Sequence, residues 1–371
     1  MSPLFKSTRL YLTMSHKLFI TGGAGFIGSA FVRLILAERP QYHITNFDAL
    51  TYAGNPDNLA GLDETRHRFV RGDIANREAV LAALDDDTTA IINFAAESHV
   101  DRSIMSADEF LRTNIIGTQV LLDAARAKNV KRFVQVSTDE VMGSLPEDDA
   151  AFFTEDSPFA PNSPYAASKA AAEHIVRAAH HTHNLDTVTT RCGNNYGARQ
   201  FPEKLIPLLI TNAMNDEAVP VYGDGQNVRD WIYVDDHARG ILAALERGAS
   251  GATYCFGARE PRRNIEIVRS ILAMLGKPES LITYVTDRKG HDRRYAIDAT
   301  RAETELDWRP LETWESGIAK TINWYADNAK WIERVRDGAY QTYYQQQYGV
   351  VSTPVASAES SPTTSPENEV R

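Results

Sequence analysis

The chain has 371 residues, of which 43% are hydrophobic and 24% are charged. This is ordinary globular usage, and it excludes a mainly disordered chain, a fibre and a disulfide scaffold. Lys and Arg number 39 against 49 Asp and Glu, so the formal net charge is −10. An excess of acidic groups disfavours a binder of nucleic acid polymers, because phosphates require a basic excess.

The first half alternates short β-branched runs with helical patterns. Strands are predicted at Lys17–Thr21, His43–Phe47, Arg68–Arg71, Ala90–Phe94, Arg132–Ser137 and Thr187–Arg191. Helices are predicted at Ile27–Ala37, Arg77–Leu84, Asp108–Lys128 and Pro164–His180. The order βαβα predicts an α/β fold with a parallel sheet and helices on both faces.

The first predicted strand runs directly into a glycine-rich turn. Gly22, Gly25 and Gly28 have the spacing G-x-x-G-x-x-G. The first glycine permits a tight turn, the second lets the backbone approach a pyrophosphate, and the third lets the helix pack close to the sheet. A glycine pattern alone also fits a plain turn. The strand before it and the helix after it favour a dinucleotide site, where the helix N-terminus faces the anion.

Two carboxylates refine this hypothesis. Asp48 closes the second predicted strand, where it can accept from both ribose hydroxyls of an adenosine and repel a 2′-phosphate. The residues Ala49-Leu50-Thr51 supply no Arg for such a phosphate, so NAD is favoured over NADP. Asp73 follows the third strand, and it is either an adenine contact or a helix N-cap.

Two clusters indicate acid–base chemistry. Tyr165 and Lys169 share one face of a predicted helix, and a cation beside a phenol lowers the pKa of the phenol. The pair by itself also fits an ordinary helix face. Thr138, Asp139 and Glu140 follow the fifth strand, at the edge where open α/β sheets bind ligands. Two carboxylates in different environments can serve as acid and base. The structural alternative makes Asp139 an N-cap and leaves Glu140 solvated.

At this level of detail the chain resembles the extended short-chain dehydrogenase/reductases and, within them, the dTDP-glucose 4,6-dehydratases. The matching strings, spread over residues 17–345, are TGGAGFIGSA, FDALTYAGN, AAESHVDRSI, STDEV, SPYAASKA, GNNYG, FPEKLIP, RDWIYVDDHARG and GHDRRYAID. Thr-Asp-Glu ahead of a Tyr-x-x-x-Lys pair is the element that separates dehydratases from sister epimerases and decarboxylases.

The resemblance implies an NAD-dependent hydro-lyase. Tyr165 removes the proton of the hexose 4-hydroxyl while C4 passes a hydride to NAD⁺. Glu140 then removes the C5 proton and Asp139 protonates the leaving 6-hydroxyl, after which the hydride returns to C6. The product is the nucleotide 4-keto-6-deoxyhexose. Thr138 hydrogen-bonds near the 4-hydroxyl, and Lys169 also holds the nicotinamide ribose.

The resemblance also implies the binding residues. Contacts to NAD are expected from Gly22, Gly25, Phe26, Ile27, Gly28, Asp48, Leu50, Thr51, Asp73, Ile74, Phe94, Ala95, Ala96, Ser98, Thr113, Tyr165, Lys169 and Asn195. Contacts to the sugar nucleotide are expected from Ser98, Thr138, Asn194, Lys204, Leu205, Pro220, Tyr222, Arg229, Asn264, Arg288 and His291. Lys204, Arg229 and Arg288 are assigned to the pyrophosphate, because the fork of an Arg suits a phosphate.

Three positions depart from the family pattern. Met142 replaces a usual Tyr, Arg191-Cys192-Gly193 replaces a polar run, and Lys289 replaces a usual Pro. They leave the nucleotide and the sugar open. A dehydratase or epimerase acting on another nucleotide sugar, such as UDP-glucose, is therefore an alternative, and so is a catalytically silent NAD-binding protein.

The chain divides into four parts. Residues 1–15 are an N-terminal extension, and residues 16–192 mainly form an NAD-binding domain with a Rossmann-type doubly wound parallel sheet. Residues 193–345 mainly form a smaller α/β substrate-binding lobe, interleaved with late strands of the sheet. Residues 351–371 are rich in Ser, Thr, Pro and Glu and are expected to be disordered.

Partners and location follow from a few further features. Relatives of this type are commonly homodimers, so we expect a homodimer through Asp108–Lys128 and the helix of Tyr165. Two cysteines favour a reducing compartment, and no stretch is apolar enough to span a membrane, so a cytoplasmic location is expected. The ten histidines lack metal-ligand spacing, which predicts no metal site.

Overall fold

The computed structural model describes residues 16–147, 150–287 and 290–336. The strands are β1 (His16–Thr21), β2 (Tyr42–Asp48), β3 (His67–Arg71), β4 (Thr88–Asn93), β5 (Arg132–Val136), β6 (Asp186–Cys192), β7 (Asn194–Tyr196), β8 (Val219–Tyr222), β9 (Val228–Tyr233), β10 (Thr253–Phe256), β11 (Pro261–Arg263) and β12 (Ile282–Val285). The predicted extension, the predicted tail, Arg288 and Lys289 lie outside the described residues.

The helices complete this list of elements. They are α1 (Phe26–Glu38), α2 (Arg77–Ala83), α3 (Val100–Met105), α4 (108–127), α5 (Pro164–His183), α6 (Leu205–Met214), α7 (Val234–Arg247), α8 (Asn264–Met274), α9 (Thr300–Leu306), α10 (Trp314–Asp327) and α11 (Ala329–Val335). Each helix in the described ranges is too short or too polar to cross a bilayer.

The main sheet has seven strands in the order β10-β6-β5-β4-β1-β2-β3, and every neighbouring pair is parallel. The predicted doubly wound α/β fold is therefore confirmed. The order 3-2-1-4-5-6 reverses between β1 and β4, and ligands of such sheets bind beyond the carboxyl ends of the strands at that point. The seventh strand, β10, comes from the second half of the chain.

Burial on both faces explains why these segments are strands. Phe19 and Phe133 pack against α4 and α5 on one face. Leu18 and Val134, the residues beside them in sequence, pack against α1 and α7 on the other face. A parallel sheet covered by helices on both faces needs apolar side chains at consecutive positions. The strands of this sheet could therefore be predicted from their apolar runs in the sequence.

The second half contains two small sheets. In one, β7 and β9 are parallel and β11 is antiparallel to β9; in the other, β8 and β12 are parallel. A separate core, which includes Trp231, Trp314 and Tyr325, packs them against α6, α8, α10 and α11. These strands have three to six residues, too few for the sequence pattern to reveal them.

The helix predicted at Asp108–Lys128 has an irregular middle. Its α-helical ends are Asp108–Phe110 and Thr118–Ala127, whereas Leu111–Gly117 is π-helical. Asn114, which lies in the π segment, accepts from the Glu97 N–H at 2.9 Å and donates to Ser168 Oγ at 2.8 Å. Since Ser168 is on α5, the irregularity ties this helix to the neighbouring one. A π-helical segment is frequently found beside a functional site.

Candidate active site

One cleft opens beyond the carboxyl ends of β1, β4 and β5. The five predicted catalytic residues line it, as do all predicted NAD contacts except Leu50. The Leu50 N–H instead donates to Asp48 Oδ1 at 2.8 Å. Of the predicted sugar-nucleotide contacts, the cleft is lined by Ser98, Thr138, Asn194 and Lys204.

The glycine loop forms the floor at one end of the cleft. Gly22 has a φ of +70°, and a Cβ there would lie 2.6 Å from the backbone nitrogen of Ala95. A Cβ on Gly28 would lie 2.3 Å from the Gly22 carbonyl oxygen, so α1 packs closely against the turn. Gly25 precedes α1 and has no side chain to cap it. The N–H groups of the first turn therefore remain available to an anion.

Asp48 lies at the end of β2 with its carboxylate fixed by two backbone groups. It accepts from the N–H of Ala24 at 2.9 Å and from the N–H of Leu50. Burial raises the pKa of Asp48, and these two hydrogen bonds partly oppose the shift. A carboxylate held at the wall of the cleft is suited to the hydroxyls of a ribose. The glycine cradle and Asp48 together fit NAD.

Asp73 does not cap a helix, contrary to one of its two interpretations. Asn76 caps α2, and its side chain accepts from the N–H of Ala79. Asp73 lines the cleft, accepts from the Ala75 N–H at 2.8 Å and pairs with Arg112 at 2.5 Å. The remaining interpretation, an adenine contact, stays a prediction.

The two carboxylates after β5 have different environments. Thr138 caps the 3₁₀ turn Asp139–Met142, and its hydroxyl accepts from the Glu140 N–H at 3.3 Å. The N-cap alternative for Asp139 is therefore wrong. Asp139 is 3% exposed, and its Oδ2 has no hydrogen-bond partner among the described residues. Burial, and secondarily the charge of Glu140, raise the pKa of Asp139 well above its usual value. Asp139 is therefore the candidate proton donor of this cluster.

Tyr165 and Lys169 lie in the first two turns of α5. Ser163 caps this helix by accepting from the Ala166 N–H at 3.1 Å. The Lys169 ammonium donates to the Val136 carbonyl at 2.7 Å, and burial lowers the pKa of Lys169 to about 8. Both side chains face the same cleft as the carboxylates.

The expected lowering of the Tyr165 pKa by Lys169 is wrong as a net effect. Burial raises the pKa of Tyr165 well above its usual value, and the negative charge of Glu140 adds to this. A hydrogen bond with Thr138 opposes the shift only in part. The cost of desolvating a phenolate outweighs the favourable neighbours, because the ring is buried.

Several cleft residues escaped the sequence argument, and Glu203 is the clearest. Its Oε2 lies 3.5 Å from His99 Nε2 and 3.5 Å from Arg102 Nη2. Burial raises the pKa of Glu203 to about 7. The string FPEKLIP contains Glu203, but the resemblance implies contacts only for its neighbours Lys204 and Leu205. The Lys204 ammonium donates to the Ser98 carbonyl at 3.2 Å.

The other described sugar-nucleotide candidates are not among the residues that line this cleft. Leu205 begins α6, Asn264 begins α8, and Pro220 is in β8. The hydroxyl of Tyr222 donates to Asp101 at 3.2 Å, and its ring meets that of His291 edge-on at 6.1 Å.

Two of the three cations predicted for the pyrophosphate lie among the described residues. Lys204 lines the cleft, whereas Arg229 is buried and donates to the carbonyls of Val228 and Asp292 at 2.7 and 2.8 Å. The Arg229 guanidinium lies 4.2 Å from the centroid of the Tyr295 ring, and its charge partly opposes the rise in the pKa of Asp139. Arg288 lies outside the described residues.

Comparison with known proteins agrees with this geometry. The family model described as GDP-mannose 4,6 dehydratase matches residues 19–321. The chain belongs to this family. It is 50% identical over 342 residues to the dTDP-glucose 4,6-dehydratase of Xanthomonas campestris pv. campestris (strain B100), an alignment that covers 87% of this chain and 96% of the relative.

Two solved structures are similar to this chain in fold but differ in sequence identity to it. DesIV, the dTDP-glucose 4,6-dehydratase of Streptomyces venezuelae with NAD and TYD (thymidine diphosphate) bound, has a TM-score of 0.83 and 48% identity, covering 86% of this chain and 99% of that one. The UDP-glucose 4-epimerase of Thermotoga maritima with UDP-glucose has a TM-score of 0.78 but 27% identity, covering 84% and 99%. The fold is shared with the epimerase, and the sequence is closer to the dehydratase.

Proposed function

We infer that this chain is a hydro-lyase that converts dTDP-glucose to dTDP-4-keto-6-deoxyglucose with NAD as its cofactor. One observation carries the inference. Asp139 and Glu140 share a cleft with Tyr165 and Lys169, and burial raises the pKa of Asp139, the carboxyl assigned as the acid. Elimination of water needs an acid and a base together, whereas a 4-epimerase needs neither beyond its Tyr and Lys.

The cofactor end of the cleft supports NAD binding. The glycine loop and the first turn of α1 hold the pyrophosphate, and Asp48 holds the adenosine ribose and repels a 2′-phosphate. When bound, NAD would supply a hydride acceptor for C4 of the sugar and a hydride donor for C6. Lys169 would orient the ribose hydroxyls. Tyr165 would take the proton of the 4-hydroxyl once the positive charges of the nicotinamide ring and of Lys169 offset the burial that raises its pKa.

The 3₁₀ turn Asp139–Met142, which we call the catalytic turn, carries out the elimination. Oxidation at C4 acidifies the C5 proton, which Glu140 removes. Asp139 donates its proton to the 6-hydroxyl, the C6–O bond breaks and water leaves. The raised pKa of Asp139 supplies the proton near neutral pH, which an ordinary aspartate would have lost. The overall conversion is redox-neutral, so the cofactor is recycled within the site.

The decisive experiment is incubation of the purified protein with dTDP-glucose in D₂O, beside an identical sample with UDP-glucose. We expect the 4-keto-6-deoxy product from dTDP-glucose, with one solvent deuterium at C5. Product from UDP-glucose alone would assign another nucleotide sugar. Galactose epimer in place of the keto sugar would reject the dehydratase, and NAD binding with no product from either sugar would indicate a silent NAD-binding protein.

We propose further that the chain forms a homodimer through α4, one of the two predicted helices, with α3 in place of the predicted α5. Four large apolar side chains, Ile104, Met105, Leu111 and Ile116, are 40%, 73%, 46% and 54% exposed on α3 and α4, whereas α5, which is described over its full length, carries no exposed large apolar side chain. Exposed apolar side chains of this size are typical of a subunit interface. A monomer in sedimentation at micromolar concentration would contradict the proposal.

The proposed location is the cytoplasm. Cys192 and Cys255 are both free and buried, as a reducing compartment permits. Fractionation of cells that express the native chain tests this proposal, and recovery outside the cytoplasmic fraction would reject it.

A further inference from the structure

Arg191, one of the three departures from the family pattern, lies behind the cleft. It is in β6 and is 3% exposed, while its neighbour Cys192 lines the cleft. The Arg191 guanidinium donates to both carboxylate oxygens of Glu173 at 3.0 to 3.2 Å, and Glu173 is 4% exposed. A buried bidentate pair of this kind has a fixed geometry, because both groups are planar and neither exchanges with water.

Glu173 connects this pair to the helix of the catalytic Tyr. It lies on α5 one turn beyond Lys169 and two turns beyond Tyr165. Its negative charge also opposes the lowering of the Lys169 pKa by burial. The placement of α5 against the sheet therefore depends in part on Arg191.

The third guanidinium nitrogen of Arg191 contacts the catalytic turn. Nη1 lies 3.4 Å from the Met142 sulfur and 3.3 Å from the Glu155 carbonyl oxygen. Met142 is the last residue of the turn that begins at Asp139. The Glu155 carboxylate in turn accepts from the N–H of Cys255, the residue paired with Arg191 in β10.

We propose that Arg191 is a positioning residue that holds the turn with Asp139 and Glu140 in place against the helix with Tyr165. One planar guanidinium bonds to both elements and fixes their relative geometry, which the three rotatable donors of an ammonium do not impose. Oxidation at C4 uses the helix, whereas elimination uses the turn. A change in their relative placement therefore slows elimination more than oxidation, and a misplacement of about 1 Å costs up to about a hundredfold in rate.

The test is Arg191→Lys in the full chain, followed by rapid mixing with dTDP-glucose. We expect elimination to slow by about ten- to a hundredfold while the affinities for NAD and substrate stay unchanged. Reduced nicotinamide should then accumulate during turnover, which its absorbance reports. Proportional loss of both steps, or wild-type turnover, would overturn the positioning role.

The chain offers a matched control in Arg132. Its guanidinium bonds to both the Asp186 carboxylate, at 2.8 and 2.9 Å, and the Leu245 carbonyl, at 2.9 Å, at the amino ends of β5 and β6. Arg132→Lys should reduce stability without accumulation of reduced nicotinamide. The same accumulation in this variant would reject a specific role for Arg191.

A second variant keeps the proposal testable if Arg191→Lys folds poorly. The double variant Glu173→Leu/Arg191→Met replaces the buried pair by apolar side chains, an exchange that often preserves stability. We expect it to fold and still to accumulate reduced nicotinamide, because the bonds to Met142 and Glu155 are lost. A wild-type balance of the two steps would overturn the proposal.

The inference rests on the proposed dehydratase activity. Absence of product from the wild-type chain would reject that activity. Normal turnover of the wild-type chain, with an unshifted balance of oxidation and elimination in the variants, would reject only the positioning role.

Discussion

The two ends of the cleft are built by different means. The NAD end consists of backbone groups in one contiguous turn, residues 22–28, together with Asp48 on the next strand. The catalytic end consists of buried ionisable side chains from two segments, the turn after β5 and helix α5, with Asp139, Tyr165 and Lys169 each at most 8% exposed. Backbone amides need no partner to remain in place, whereas a buried charge or acid depends on its surroundings for its protonation state. We therefore expect the two ends to fail differently when they are altered.

The largest expected effect is the loss of turnover when the proposed catalytic base is removed, while NAD binding stays unchanged. Glu140→Gln should lower kcat by about 10²- to 10⁴-fold, because the amide cannot take the C5 proton. Bound NAD, released by acid and quantified, should stay at the wild-type level, and C5 deuterium exchange should disappear. Full turnover in this variant would show that catalysis does not depend on Glu140 as its base.

The pH dependence of the free energy of unfolding measures how much the burial of Lys169 destabilises the folded protein. Burial lowers its pKa from 10.5 to about 8, so between these values the unfolded chain binds more protons than the native chain. The free energy of unfolding should therefore rise with pH across this window, by at most about 3 kcal/mol at 1.36 kcal/mol per pKa unit. Urea denaturation at several pH values should show this rise in the wild type and not in Lys169→Met. Parallel pH curves for the two proteins would contradict the burial of a charged Lys169.

Substitution of Gly22 tests the NAD end of the cleft, which is built from backbone groups. Gly22→Ala forces a Cβ against the Ala95 backbone at a φ of +70°, a strain of about 1 to 3 kcal/mol that corresponds to roughly a 5- to 150-fold loss of NAD affinity. Gly61→Ala is the matched control, since its φ is +74° and a Cβ there meets nothing within 4 Å. Calorimetric titration of NAD should separate the two variants. Equal affinities would show that the turn adapts to a side chain.

The smallest expected effect concerns long-range support of the glycine turn. Trp331 on α11 donates to Asn58 Oδ1 at 3.0 Å, and the Asn58 amide donates to the Ala24 carbonyl in the turn at 2.9 Å. Trp331→Phe removes one hydrogen bond of about 1 kcal/mol and should weaken NAD binding only a fewfold. An unchanged dissociation constant would show that the turn is held by local contacts alone.

Much of the fold could be predicted because its signals are local. Residues 18–20 pack on alternate faces of a covered sheet, so an apolar run marks β1 without knowledge of its neighbours. The π-helical turn at Leu111–Gly117 had no such signal, since it is fixed by the bonds of Asn114 to the neighbouring helix. The bond of Arg229 to the Asp292 carbonyl was likewise absent from the sequence pattern, because its partner is 63 positions away in the chain.

The sequence by itself determined the dinucleotide turn, the parallel sheet and the candidate catalytic groups, because glycine spacing, apolar runs and short motifs are properties of consecutive residues. Tertiary structure alone decided how the pKa values of those groups are shifted. The pKa of Tyr165 rises and that of Lys169 falls through desolvation, which exists only once distant segments have covered both side chains. It also decided that Arg191 lies behind the cleft on Glu173 and Met142, residues 18 and 49 positions away in the chain.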